Sequence, residues 1–216
     1  MWECFDAIAQ EYDRWYDSDD GAAIFREETE ALLLVKGRVP GRWLEVGVGT
    51  GRFADALKVS DGVDPSPAMC ALASSRGIRV EPGAAEHLPY ADASFDGVLT
   101  VVTLCFVEDP AAAMVECARV LKRSGVLVAG IIPSTGSWGR EYTRKGRAGH
   151  PVYAHARFLS LEETVRLAAN AGLLLKDAAS ALLWAPSDGE MPECRVVRGA
   201  RSDAGFVALR FERATT

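Results

Sequence analysis

Residues 42–66 read RWLEVGVGTGRFADALKVSDGVDPS, and the fold class turns on them. A short apolar run, Trp43 and Leu44, brings Glu45 to the place where a buried strand should end. Gly47, Gly49 and Gly51 follow at alternate positions, and Arg52 to Leu57 reads as the start of a helix. A second short strand closes on Asp64. Glycines spaced this way let the main chain turn sharply and come close to a ligand. The free N–H groups opening the next helix favour an anionic group, and an acid ending the next strand can accept hydrogen bonds from ribose hydroxyls. The stretch therefore reads as a nucleoside-binding strand–loop–helix–strand unit.

The spacing narrows the nucleoside. A dinucleotide loop is G-x-G-x-x-G, and the position of its last glycine is held by Arg52. An acid two residues before the first glycine would repel a pyrophosphate at short range, whereas it suits a ligand with a cationic end. On these residues LEVGVGTGRF resembles the first motif of the class I S-adenosylmethionine-dependent methyltransferases, and GVDPS the second.

Further along, GAAEHLPYADASFD resembles the adenine-contacting segment of that family, matching at Ala85, Glu86, Leu88, Pro89, Tyr90, Phe95 and Asp96. It departs at Ala84, where the family often has Asp, leaving backbone carbonyls or Glu86 to meet the adenine amino group. ARVLKRSGVLVAGII resembles the last shared motif, and FDAIAQEYDRWYDS resembles the N-terminal segment of small-molecule members, the ubiquinone- and menaquinone-biosynthesis methyltransferase-like group among them.

The resemblance implies an α/β fold: a Rossmann-like three-layer sandwich whose seven-stranded sheet is mostly parallel, with one antiparallel strand. It implies S-adenosylmethionine as cofactor and in-line methyl transfer to a small molecule. The implied cofactor-binding residues are Glu45, Gly47, Gly49, Gly51, Asp64, Pro65, Ser66, Met69, Ala85, Glu86 and Thr100. Tyr12, Tyr16, Thr103 and Cys105 are expected on the substrate side. A pair of histidines common in the family is replaced by Cys105 and Phe106, so no base is obvious; Tyr142, His155 and Glu141 are the remaining candidates. The rival readings are a module that binds S-adenosylmethionine without transferring its methyl, and a nicotinamide-dependent oxidoreductase, which Glu45 and Arg52 disfavour.

Outside the motifs, 216 residues fit one domain from 1 to 216, with an N-terminal helical lid over about residues 1–37 and a substrate-side insertion over about 133–158. Within the lid, Phe5, Ile8, Tyr12 and Trp15 fall at helical spacing, and Glu27 to Lys36 continues as a second helix. The insertion is polar and glycine-punctuated, and it offers Trp138, Arg140, Glu141, Tyr142, Tyr153, His155 and Arg157. Asp109-Pro110 and the capping box from Ser160 open two further helices, and 173–184 and 205–211 read as strands around a loop at 186–201.

A net charge of −6 argues against nucleic acid or an anionic membrane as partner. Five cysteines without paired spacing fit reduced thiols and no metal site, Cys117 lying in a helix and Cys194 in a loop. With no signal-like start and no apolar run of spanning length, a cytoplasmic protein is expected.

Overall fold

A computed structural model describes residues 2–186 and 195–214. The elements run α1 (Glu3–Trp15), α2 (Asp19–Lys36), β1 (Trp43–Val46), α3 (Arg52–Leu57), β2 (Asp61–Asp64), α4 (Pro67–Ser75), β3 (Arg79–Pro82), β4 (Phe95–Val101) and α5 (Pro110–Val120). They continue with β5 (Leu121–Ile131), α6 (Ser137–Arg147), a 3₁₀ turn (Tyr153–His155), α7 (Leu161–Asn170), β6 (Leu173–Ala181), β7 (Val197–Arg198) and β8 (Phe206–Arg213).

The strands form one sheet in the order β3-β2-β1-β4-β5-β8-β6-β7. β1 to β5 pair in parallel, and β8 inserts antiparallel between β5 and β6. That is the expected sheet of six strands in one direction and one against. The two-residue β7 is an addition, pairing with Ser180 and Ala179 inside the stretch expected to be loop.

Alternation along each strand sends side chains to two cores. Leu44, Val98, Leu127 and Leu209 pack on Met114 and Cys117 of α5, while Trp43, Leu99, Val128 and Ala208 pack on Leu32 and Val35 of α2. The order reverses between β1 and β4, both parallel to their neighbours, so the carboxyl ends of β1, β2 and β4 open onto a shared crevice.

Local chemistry explains where several elements start. The Ser66 hydroxyl caps α4 by accepting from the Met69 N–H, and Pro67 fills the first helical position. Asp109 caps α5, and Ser160 and Glu163 complete the capping box of α7.

Four expectations need correction. α2 begins eight residues earlier than its apolar pattern suggests, because Ser18 caps it by accepting from the Gly21 N–H. Lys122, Arg123 and Gly125 read in sequence as the close of α5, but α5 ends at Val120 and Leu121 to Gly125 already belong to β5. The Trp15 side chain is 41% exposed, and Ala9 and Tyr16 are the buried positions of that segment. The polar stretch after β5, expected only as a long connection, carries the 11-residue helix α6, held down by Trp138, whose indole N–H donates to the Trp184 carbonyl at 2.8 Å. Gly139 and Gly146 serve close approach there: a Cβ would lie 2.2 Å from the Pro133 oxygen and 2.3 Å from the Tyr153 oxygen. Cys194 lies outside the described residues.

Candidate active site

The crevice is built from the ends of strands. Glu45 lies near the end of β1 with its side chain 1% exposed, and its Oε2 has no hydrogen-bond partner. Burial pushes its carboxyl well above the usual carboxylate range, with the nearby Asp64 charge adding to the effect and the Ala54 N–H opposing it. After it the chain turns at Gly47, whose φ is +70° and whose absent Cβ would fall 2.3 Å from the Thr103 methyl. Gly49 is also left-handed, at φ +52°, yet a Cβ there would meet nothing within 4 Å. Gly51 caps α3 against Ala73.

Asp64 ends β2 and is held on both oxygens: the Gly49 N–H donates to Oδ2 and the Ser66 N–H to Oδ1, each at 2.9 Å. Its carboxyl is nonetheless raised, because burial outweighs the two N–H groups. Pro65 is half-buried, and Ser66 and Met69 are buried. From β4, Thr100 is buried with its Oγ1 unpaired, and Thr103 donates to the Val46 and Val101 carbonyls. Val102 between them adopts φ +50°, a strained value for a β-branched residue that no sequence pattern signals.

These features suit the expected ligand. A buried carboxylate oxygen and a buried hydroxyl without partners are costly unless something polar meets them, and the open space over Gly49 admits a group close to the backbone. Ala85 is buried beside the crevice, whereas the Glu86 carboxylate is engaged: its Oε1 accepts from the Glu108 and Asp109 N–H groups at 2.9 and 3.2 Å. Glu86 thus braces the loop before α5, and its other oxygen is what remains for a ligand.

Arg52, standing where a dinucleotide loop would have glycine, turns away. It donates to Asp13 at 2.8 and 3.1 Å and to Asp17 at 2.9 Å, and Arg76 also donates to Asp13. Asp6 accepts from the Ser66 hydroxyl and the Ala68 N–H, so α1 lies tied along the crevice at both ends.

On the side away from Asp64 the structure gathers a group of residues that sequence identifies only in part. The hydroxyls of Tyr12 on α1 and of Tyr16, which caps its C-terminal end, are 3.0 Å apart. The rings of Tyr142 on α6 and Tyr153 on the 3₁₀ turn stack at 4.3 Å, with Phe158 at 6.0 Å from Tyr142. Cys105 is buried among them, its thiol pushed by burial up to about 12, which leaves it inert as a nucleophile. Phe5 of α1 meets Phe106 edge-on at 4.9 Å.

Of the three candidate bases only Tyr142 belongs to this group. His155 is exposed. Glu141 pairs with Arg144 at 2.7 Å on the outer face of α6, where both line a surface hollow with Ser137 and Arg140. The residue that sequence reasoning misses is Glu28. It is 5% exposed on α2, and its charge acts on Tyr12, Tyr16, Tyr142 and Tyr153. Burial and the neighbouring Glu27 push its carboxyl up to about 8. Glu27, 3% exposed, is committed to the fold: it accepts from the Leu182 N–H at 2.9 Å and the Trp184 indole at 3.3 Å. Among the described residues no metal-binding cluster is present, and no helix is long and apolar enough to cross a membrane.

Comparison with known proteins fits this geometry. Residues 44–129 match the family model described as a methyltransferase domain. An uncharacterised protein of Methanocaldococcus jannaschii is 36% identical over 97% of this chain and 98% of its own. An uncharacterised protein of Mycobacterium tuberculosis is 37% identical over 93% of this chain and 70% of its own. A crystal structure from Thermotoga maritima superposes with a TM-score of 0.89 at 37% identity over 99% of both chains; it is described as a methyltransferase dependent on S-adenosylmethionine and a possible histamine N-methyltransferase.

Proposed function

Because the chain belongs to the S-adenosylmethionine-dependent methyltransferases, we propose that its acceptor is a small molecule held in the tyrosine-lined space between α1, α2, α6 and the carboxyl end of β4. The observation that carries this reading is the burial of the residues gathered there. Tyr16, Cys105 and Glu28 are each more than nine-tenths buried within the chain, which suits a compact acceptor and not a polymer laid across the surface.

The donor supplies a methyl carbon already activated by a sulfonium, so the chain's work is to bind, align and exclude water. Glu45 would meet the amino-acid ammonium, and Asp64 the ribose hydroxyls. The main chain at Gly47, Gly49 and Gly51 would pass close beneath the ligand, with Pro65, Ser66, Met69, Ala85, Glu86 and Thr100 around it. Asp64 is preorganised for this by the Gly49 and Ser66 N–H groups. Thr103 links the two halves, because it lies against Gly47 and heads the segment that carries Cys105. Residues 1–37 act as a lid, fastened by Asp6 and Asp13, and 133–158 close the acceptor side through Tyr142 and Tyr153. Holding two reactants in line in a dry site can reach effective molarities of ~10⁵–10⁸ M.

The test is an incubation with S-adenosylmethionine carrying a labelled methyl group and a panel of small amines, phenols, thiols and carboxylic acids. The reading expects S-adenosylhomocysteine and labelled product with at least one of them. Labelling of none, with tight binding of S-adenosylhomocysteine intact, would remove the small-molecule reading.

A further inference from the structure

We propose that the acceptor is an amine and that Glu28, within the box of Tyr12, Tyr16, Tyr142 and Tyr153, holds its nitrogen and takes its proton. This rests on the small-molecule reading above and names its substrate class.

The argument begins with two adjacent acids. Glu27 and Glu28 are both buried on α2, but their tasks differ. Glu27 satisfies a backbone N–H and an indole from the end of β6, which accounts for its burial. Glu28 is likewise buried but lies within electrostatic reach of the tyrosines. The groups that interact with it are Glu27 on its own helix, Tyr12 on α1, Tyr16 just past the end of α1, Tyr142 on α6 and Tyr153 on the 3₁₀ turn. Among the described residues, no arginine, lysine or histidine acts on it. A carboxyl buried in that company lacks a cation to compensate its charge.

The tyrosine rings are suited to a cation. Tyr142 and Tyr153 stack, and Tyr12 and Tyr16 meet edge to face at 5.5 Å. Two of these rings already bear a cation: the Arg52 guanidinium sits 5.6 Å from the Tyr16 ring and the Lys145 ammonium 5.8 Å from that of Tyr142. Both cations are paired elsewhere, with Asp13 and Glu141. A carboxylic acid acceptor would meet Glu28 as a like charge, and a neutral alcohol would leave its ionised form uncompensated. An amine satisfies the box in either protonation state.

Burial also makes the proton transfer workable. It raises a carboxyl and lowers an ammonium, bringing the two close to balance. The ammonium gives one proton to Glu28; the freed lone pair forms the N–C bond as the C–S bond of the sulfonium breaks, and that bond pair stays on sulfur. The proton leaves Glu28 to solvent when product departs.

Three proteins decide it: wild type, Glu28→Gln and Glu28→Asp, assayed for S-adenosylhomocysteine release against matched primary amines, phenols and carboxylic acids. Circular dichroism and S-adenosylhomocysteine affinity serve as controls for folding. Wild type should favour an amine. Glu28→Gln should lose roughly 10²-fold or more in kcat with cofactor affinity kept, and the limb of its pH–rate profile near 8 should vanish. Glu28→Asp should recover part of the loss. Transfer to a phenol or acid with none to amines overturns the amine class while leaving a small-molecule methyltransferase standing. Transfer to no acceptor overturns both. Glu28→Gln matching wild type in kcat and pH profile reduces Glu28 to a structural acid and overturns the base.

Discussion

Arg52 donates to both carboxylate oxygens of Asp13, 39 residues earlier in the chain, at 2.8 and 3.1 Å. The pair joins the first residue of α3, just past the glycine loop, to the helix that lies over it. Burial opposes ionisation of Asp13, yet the hydrogen bonds from Arg52 and Arg76 hold its carboxyl down to about 2. Asp13→Asn should cost about 1 kcal/mol in stability, since the pair is only partly buried. Its larger effect should be on α1: faster amide exchange across residues 3–15 and weaker binding of S-adenosylhomocysteine. Exchange unchanged from wild type would show that the pair does not fasten the lid.

Two glycines separate folding from binding. Gly47→Ala places a methyl 2.3 Å from Thr103 at a positive φ, and it should destabilise the protein by roughly 2–4 kcal/mol. Gly49→Ala meets no neighbour and should cost only ~1–2 kcal/mol from its left-handed backbone. Its methyl nonetheless points into open space over the loop, so S-adenosylmethionine affinity should fall by far more than stability. Thermal melts and calorimetric titrations of both variants read the contrast, and equal binding by Gly49→Ala and wild type would contradict it.

Glu28 makes stability depend on pH in a definite direction. Its folded carboxyl titrates near 8, above the ordinary value of 4.5, so the folded state binds the extra proton between those values. Stability should therefore fall as pH rises through that window, by at most roughly 5 kcal/mol. Glu28→Gln removes the penalty. It should melt higher than wild type at pH 8.5 and show a smaller advantage at pH 5. A difference in melting temperature independent of pH would contradict the placement of Glu28.

The crevice is legible in sequence because its parts are local. Glu45, the three glycines and Asp64 lie close together in the chain, and each has a backbone reason to be what it is. Ser66, Asp109 and Ser160 announce their helices by capping chemistry. The acceptor side is not legible in the same way. Glu27 and Glu28 read as solvated acids on a surface helix, and their burial arises from α1, β6 and α6 folding around them. Tyr153 comes to Tyr142 through a 3₁₀ turn with no strong signal. α6 carries so many charges that only Trp138 and Tyr142, four apart, hint at its buried side. Glu141 and His155 qualify as bases on chemistry alone, and the helix and turn that hold them point them outward.

If Glu45 meets the amino-acid ammonium as proposed, its burial should link cofactor binding to pH. Its carboxyl is raised in the free protein, and an ammonium beside it would favour the charged form. Binding of S-adenosylmethionine should release a proton, and affinity should rise with pH until Glu45 is ionised in the free protein as well. Calorimetry in buffers of different ionisation enthalpy reads the proton directly.

The most direct trial is titration of S-adenosylmethionine into wild type, Glu45→Gln and Asp64→Ala, each shown folded by circular dichroism. One site should be seen in wild type. Each substitution should weaken it by about 100-fold or more, because removing a buried charged partner leaves the ligand's polar group unsatisfied. Undiminished affinity in both variants would contradict the assignment of this crevice to the methyl donor.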